Sequence, residues 1–489
     1  MKYRRTASWL ALLLAPWLTG LPGCATNPVT GSSDFVLMSE QQEIALGRQY
    51  HPQVLKESPE YANPKLAAYV QRIGAKLAAH SHRSDLIYRF TLLDSPDVNA
   101  FALPGGYIYI TRGLLAYLSS EAELAAVLGH EIGHVTARHS VRQQSASTAT
   151  GLFGAILAGA TGVSAAGDLA NIAGTALVRG YGREHELESD RLGAEYLARS
   201  GYDPQAMLRV IHVLKDQETF EVQRAKEEGR EPNVYHGVFS THPDNDQRLK
   251  EVVGAARKFA SPNAIANNSA EFLSQLEGLT FGDGERDGIR RGNRFYHGDL
   301  NFALEFPAGW RIDNSADRLI ARSQDGDGLL QFTMQDRNKK ISPEDFLRTQ
   351  LRLGNLRNGE AIQHAGMQGY TALAEQKTPF GQLPVRYAVL YRDQQALIFA
   401  GLSKTKNQPY RYDSLVLQTV RSFHPLSESE RALAQPQRLH ILRATPTTRF
   451  ATLARESALP DYPEQRLRLL NGHYPSGEPA PGDPIKIVR

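Results

Sequence analysis

The pentapeptide His130-Glu131-Ile132-Gly133-His134 constrains this chain more than any other stretch. Residues four apart on a helix share a face, so imidazoles at this spacing reach one metal ion if the segment is helical. Glu131, one residue after the first imidazole, then stands where a carboxylate can take a proton from water near that ion. With 15 His in 489 residues, a match of this kind is expected by accident about 0.03 times. The flanking residues agree with a helix. Ser120 reads as the N-cap, with Glu123 completing a capping box. Leu124, Val127, Leu128, Ile132 and Val135 give an apolar face at helical spacing. Gly129 and Gly133 lower helix propensity, but they let another backbone come close. The bland alternative is a core helix carrying two ordinary histidines.

A hydrolytic metal site needs a third protein ligand and an open position. In the metzincin pattern a Gly stands three residues after the second His, and a third His stands six after it. Here those positions are Ala137 and Ser140. His139 is one residue out of place and is rejected as a ligand. A better candidate lies in the run Arg183-Glu184-His185-Glu186-Leu187-Glu188-Ser189-Asp190. It opens a second expected helix, which runs to about Ser200 and stops at Gly201. Glu186 and Asp190 share one face of it. Glu186 can bind the metal, and Asp190 can accept a hydrogen bond from a ligand imidazole. Alone, such a run is a solvated charged face; its pairing with the first helix lifts it above that.

His130–His134 followed by Glu186-x-x-x-Asp190 resembles peptidase family M48, zinc metallopeptidases that include the CAAX prenyl protease and periplasmic quality-control proteases. Further stretches match. Asn99 to Gly106 followed by Tyr107 to Thr111 resembles the family's strand beside the active-site helix. On its residues this is a β-rich run after a Pro-Gly-Gly turn. An exposed edge at Tyr107, Ile108, Tyr109 and Ile110 could bind substrate main chain by strand addition. Ser240-Thr241-His242-Pro243 and then Arg248 resemble a stretch that periplasmic members place over the metal. The resemblance implies His242 as a latent fourth ligand and Arg248 as an oxyanion stabiliser. On its residues alone, His242 reads equally as a loop histidine before a proline. The likeness covers roughly residues 35–255. Gly182 and Ser189 depart from the usual serine and alanine, and neither is a ligand. The implied chemistry is one Zn2+ per chain held by His130, His134 and Glu186. Glu131 acts as base and then acid in peptide hydrolysis, with activity falling in acid.

The N-terminus gives an address. Lys2, Arg4 and Arg5 precede a short apolar core, Trp9 to Leu18, too short to span a membrane. Leu21-Pro22-Gly23-Cys24 resembles a bacterial lipobox, in which cleavage precedes the cysteine and the thiol is lipidated. Cys24 is the sole cysteine, so no disulfide forms within the chain. Ala25 follows it, which by resemblance favours sorting to the outer membrane, facing the periplasm. Within the apolar stretch 151–178, residues 151–167 approach the minimum length of a span, about 17 residues, but polar residues and glycines favour two short helices forming a lid or hairpin beside the site. A net charge of +3 with 22% charged residues fits an ordinary globular chain, and no basic stripe points to nucleic acid.

The expected architecture is α+β and multidomain. A signal peptide (1–23) precedes a mainly helical zincin-type protease domain with a short β edge (24–259). A polar linker (260–293) follows, then a smaller α+β domain faintly similar to the PsbP/Mog1 fold (294–425), and a short C-terminal LysM-like module (437–489). Strands are expected at 301–306, 329–334, 369–375, 383–391 and 395–402, with helices at 342–353 and 410–423. No 34-residue period marks tetratricopeptide repeats. Two functions compete. One is an endopeptidase for misfolded or misassembled envelope proteins, tethered to the membrane by lipid. The other is a chaperone-like or cell-wall-associated assembly factor with a latent zinc site and a peptidoglycan contact.

Overall fold

The computed structural model describes residues 24–148, 181–232, 269–315 and 317–489, with residues 248, 251, 252, 254 and 257–259. The expected signal peptide, the apolar stretch 151–178 and His242 lie outside the described residues.

The first unit opens with a hairpin, β1 (Cys24–Thr26) and β2 (Ser33–Phe35). Helix α1 (Glu40–Glu57) starts at a capping box between Ser39 and Gln42. Helix α2 (Pro64–Ala78) starts at Asn63, whose side chain accepts from Leu66 N–H, with proline in its first turn. A three-stranded sheet follows: β3 (Arg89–Leu93), β4 (Ala100–Leu103) and β5 (Tyr107–Thr111), in the order β3-β5-β4. A short helix α3 (Arg112–Tyr117) leads into α4 (Glu121–Thr136), which carries the His-Glu-x-x-His motif. Helices α5 (Arg183–Arg199) and α6 (Ala206–Glu227) pack beside it.

Every residue of α4 is buried, so it is the central helix of the unit and not an amphipathic surface helix. Leu124, Leu128 and Ile132 share one core with Val70, Ile73 and Leu77 of α2 and Met207, Ile211 and Leu214 of α6. Ser120 caps α4 as expected, accepting from Glu123 N–H at 3.2 Å. The return bond differs from a capping box. Glu123 Oε2 takes the N–H of Ser119, one residue earlier, at 2.7 Å.

The sheet overturns one expectation. Strand β5 is not an edge. It pairs in parallel with β3 and antiparallel with β4, and all five of its residues are buried. The strand at the border beside α4 is β4. Tyr107, Ile108, Tyr109 and Ile110 are therefore core residues, and Tyr109 Oη is tied to His51 Nδ1 at 2.8 Å.

The described part of the expected linker is not a linker. Helix α7 (Ser269–Leu276) inserts Phe272, Leu273 and Leu276 into the α4 core. Strand β6 (Thr280–Phe281) pairs with β17 (Gln437–Arg443) near the chain's end. Strands β7 (Ile289–Arg291), β8 (Arg294–His297) and β9 (Phe302–Glu305) form a small antiparallel sheet.

The second unit is a seven-stranded antiparallel sheet. It comprises β10 (Arg311–Ser315), β11 (Arg318–Arg322), β12 (Gly328–Asp336), β13 (Arg357–His364), β14 (Met367–Thr378), β15 (Gly381–Arg392) and β16 (Gln395–Ser403). Its order is β10-β11-β12-β16-β15-β14-β13. Helix α8 (Asp413–Ser422) covers it, with Phe302, Phe332, Phe399 and Phe423 in the core between. The expected helix at 342–353 is shorter, a turn at Pro343–Asp345 continued through Phe346–Gln350.

The C-terminal stretch runs β17, α9 (Phe450–Glu456), α10 (Pro463–Leu470), β18 (Pro484–Val488), with β17 and β18 antiparallel. The expectation for this stretch is a LysM-like module of its own. It is not separate, however: Leu439, Phe450, Leu467, Leu470 and Val488 belong to the same core as α4. No helix among the described residues is long and apolar enough to cross a membrane.

Candidate metal centre and active site

Small residues bring α4 and α5 together. A Cβ placed on Gly133 would lie 3.0 Å from Ser189 Cα, and one on Gly193 would lie 3.0 Å from His130 N. Nothing larger than hydrogen fits at either crossing point without a shift. The two backbones are thus near enough for short acidic side chains of α5 to reach the histidines of α4.

They do so as the spacing anticipates. His130 Nε2 and His134 Nε2 face each other at 3.0 Å. Glu186 Oε2 stands 3.5 Å from His130 Nε2, and Oε1 stands 3.4 Å from His134 Nε2. Among the described residues this is the one cluster of metal-ligating type. Neighbouring donors around a four-coordinate ion with bonds of about 2.0–2.1 Å are about 3.3 Å apart. Two imidazole nitrogens and one carboxylate at 3.0–3.5 Å therefore fit a divalent ion in spacing and donor chemistry.

Asp190 takes the orienting position. Its Oδ1 lies 2.8 Å from His130 Nδ1. Arg248 clamps the same carboxylate, Nε to Oδ2 and Nη2 to Oδ1, both at 2.7 Å. Its Nη1 is 3.3 Å from Glu186 Oε2. Arg248 thus joins the site by holding two carboxylates, with two of its three guanidinium nitrogens committed to Asp190. Burial opposes its charge, yet Asp190 and Glu186 raise its pKa above the ordinary arginine value. Asp190 is lowered in turn: burial works against ionisation, and Arg248 and His130 overcome it.

The two histidines respond differently to the same burial. Burial pushes His134 well below an ordinary imidazole. Burial also opposes charge on His130, but hydrogen bonds to Asp190 and Glu186 raise it above the ordinary value. Glu131 is buried beside them, and its charge acts on Arg248 and Tyr181.

Several neighbours were not singled out by sequence reasoning. Tyr181 stacks on His134 at 3.9 Å between ring centroids, and Ser140 Oγ meets its hydroxyl at 2.7 Å. His139, rejected as a ligand, makes contact with one: its Nδ1 lies 2.9 Å from His134 Nδ1. Its Nε2 lies 3.0 Å from Glu188 Oε2. Glu188 sits between Glu186 and Asp190 in the charged run, which was the available signal. His139 and Arg142 pull its carboxyl down to about 2.

The far end of α4 is also fixed. Glu43 of α1 accepts from Arg83 Nη1 at 2.8 Å and from Arg138 Nε at 2.9 Å. Arg83 Nη1 also donates to Val135 O at 3.1 Å, placing positive charge at the negative end of the helix. A small cavity joins Ala102–Pro104, at the end of β4, to His134 and Val135. In the β4–β5 ladder, Thr111 N–H donates to Asn99 O at 3.0 Å, and Phe101 and Leu103 stand opposite Tyr109 and Tyr107. Alternation then turns the backbone groups of Ala102 away from β5, toward the outer side.

Residues 64–256 match the model of peptidase family M48. The beta-barrel assembly-enhancing protease of Yersinia pestis is 33% identical over 267 residues, covering 52% of this chain and 52% of that protein. The protein of the same name from Escherichia coli (strain K12) is 31% identical over 263 residues, with 52% of each covered. The mitochondrial metalloendopeptidase OMA1 of Arabidopsis thaliana is 36% identical over 138 residues, with 28% of each covered. The chain spans about half the length of the bacterial relatives it matches. Among solved structures, cyanobacterial PsbP from Synechocystis covers 30% of this chain and 96% of its own at 17% identity and a TM-score of 0.23. A score that low carries no argument about the second unit.

Proposed function

We propose, from the premise that residues 64–256 carry a domain of peptidase family M48, that this chain is a zinc-dependent endopeptidase acting on misfolded or misassembled cell-envelope proteins. The observation that carries the reading is the convergence of His130 Nε2, His134 Nε2 and the Glu186 carboxylate within 3.0–3.5 Å, beside the buried Glu131.

Zinc held by His130, His134 and Glu186 would supply Lewis acidity to a peptide carbonyl and to an attacking water. Glu131 takes the proton as the water oxygen bonds to the carbonyl carbon. It delivers that proton to the nitrogen as the C–N bond breaks. Asp190 holds His130, and Arg248 holds Asp190 and balances the negative charge of the carboxylates. Arg248 Nη1, the guanidinium nitrogen not committed to Asp190, is ion-paired with the ligand Glu186 at 3.3 Å and is the one proposed to meet an oxyanion. His242 stays in this reading as the latent fourth ligand. The outer side of β4, near His134, replaces β5 as the place where a peptide main chain adds as a strand.

The substrate class and the address rest on the bacterial relatives, whose name describes assembly-enhancing proteases of β-barrel proteins, and on the lipobox-like Leu21-Pro22-Gly23-Cys24. The proposed location is the periplasmic face of the outer membrane, with Cys24 lipidated. The same relatives' name favours a second reading, assembly assistance with the zinc site latent. The merging of the C-terminal stretch with the protease core argues against an independently moving peptidoglycan-binding module.

The test is cleavage of unfolded casein by protein lacking residues 1–24, beside Glu131→Gln and His242→Ala variants. Glu131→Gln is expected to lose about 10²–10⁴-fold in rate while keeping its zinc. Undiminished cleavage by Glu131→Gln sinks the mechanism. Inactivity of both wild type and His242→Ala favours the assembly reading.

A further inference from the structure

Each imidazole of the metal centre has a second nitrogen, and the two are held differently. His130 Nδ1 faces the Asp190 carboxylate at 2.8 Å. His134 Nδ1 faces another imidazole, His139 Nδ1, at 2.9 Å. His139 is fully buried. Its Nε2 lies 3.0 Å from Glu188 Oε2, and Glu188 pairs with Arg142 Nη1 at 3.1 Å. Ser189 Oγ lies 3.3 Å from His139 Nδ1.

Two ring nitrogens at 2.9 Å share one proton, and its owner decides the state of His134. A neutral imidazole carries one N–H and one lone pair. Suppose a neutral His139 donated from Nδ1. Its Nε2 lone pair would then face the Glu188 carboxylate, acceptor against acceptor. His134 would carry its proton on Nε2, aimed at His130 Nε2 and Glu186, where the ligand lone pair is needed. Suppose instead that His134 donates from Nδ1. Then His139 Nδ1 accepts, His139 Nε2–H donates to Glu188, and His134 Nε2 presents its lone pair to the metal. Only this direction pairs a donor with an acceptor at each step.

We propose that His139 is a positioning residue: with Glu188 behind it, it fixes the tautomer and ring orientation of His134, as Asp190 does for His130. The stacking of His185 on His139 at 4.3 Å, and of Tyr181 on His134 at 3.9 Å, holds both ring planes for the bond. The inference rests on the metal-site reading above. Partners of this kind typically change metal affinity by about 10–100-fold when removed.

The experiment uses the full-length protein and zinc alone. Zinc affinity is measured by competition with a chromophoric chelator for wild type, His139→Leu and His139→Gln, with Tm as a check on folding. Histidine tautomers are read from long-range nitrogen–proton NMR of the wild type. His139→Leu is expected to lose about 10–100-fold in zinc affinity. His139→Gln, whose side-chain carbonyl can accept from His134 Nδ1–H, is expected to recover much of it. The spectrum is expected to show Nε2–H on His139 and Nδ1–H on His134. Wild-type affinity in His139→Leu overturns the proposal, as does a Gln variant no better than Leu, or a proton on His139 Nδ1. Should His139→Leu fail to fold, the wild-type spectrum decides. A wild type that binds no zinc overturns the metal-site reading instead, and the tautomer of His139 still reports the direction of the chain.

Discussion

At the scale of single residues, the site separates two histidines that the sequence presents as equivalents. Burial opposes charge on both, but Asp190 and Glu186 lift His130 above the ordinary imidazole value while His134 stays well below it. In the metal-free protein, the raised His130 adds stability that is fully present below about pH 6.5 and is lost as pH rises through its folded pKa. Zinc must displace that proton. Zinc affinity is therefore expected to climb with pH through a window above about 6.5, and then to level off, with His130 as the main competitor. Chelator competition across pH 5–9 measures this, and an affinity that is flat above pH 6 contradicts it. His130, His134, Glu186 and Asp190 were legible because each pair is four apart on a helix, and helical geometry does the rest. His139 was not. Its place depends on how the chain leaves α4, where Arg138 adopts the left-handed φ of +54°. That turn brings His139 back against His134, and no periodicity records it.

Between elements, the deciding contact is the α4–α5 crossing at Gly133. A Cβ there meets backbone, Ser189 Cα at 3.0 Å and Ser189 O at 3.1 Å, so a larger side chain must push the helices apart. Gly133→Leu is expected to cost about 1–3 kcal/mol and to lower zinc affinity by drawing Glu186 away from the histidines. Denaturant midpoints and zinc content check both, and a variant with normal zinc would show that the crossing does not set the site. The glycines were read correctly because a helix-weakening residue beside two ligands needs a packing reason. The sheet departs from the expected edge at β5 because a strand's place is set by its neighbours, β3 and β4 here. Tyr107-Ile108-Tyr109-Ile110 is apolar on both faces, the pattern of a central strand, whereas the small residues Ala100 and Ala102 mark β4. Polar strands such as β13, mostly exposed, carry no alternation to read. If β4 binds substrate, Ala102→Pro removes an outward N–H and spares the ladder to β5. About tenfold loss in kcat/KM is expected, the worth of one main-chain hydrogen bond, with zinc retained. Unchanged peptide cleavage would move substrate binding off this strand.

Across the whole molecule, the chain does not string its units in a line. It leaves the α4 core after β6, builds the seven-stranded sheet, and returns so that β17 pairs with β6. The return is fastened by Lys486 of β18. Its ammonium is fully buried and donates to Ala116 O at 2.9 Å and Leu118 O at 2.8 Å, at the end of α3. Burial pulls its pKa down to about 7, with Glu123 as the opposing charge. A lysine lowered from 10.5 to about 7 on folding binds fewer protons in the folded chain between those values. Its contribution is therefore complete above about pH 10.5, and it is lost as pH falls through about 7. The slope is at most about 1.4 kcal/mol per pH unit. Lys486→Met removes the titration and leaves two buried carbonyls without their donor, a cost of about 1–3 kcal/mol. The stability advantage of wild type over Lys486→Met is expected to widen from pH 7 toward pH 10. Hydrogen exchange of the β17 amides, which the β18 ladder protects, localises the effect, and denaturant midpoints give its size. Parallel pH profiles for the two proteins would mean that the tail is held by its apolar contacts, Leu439, Phe450 and Val488 among them, and not by the lysine.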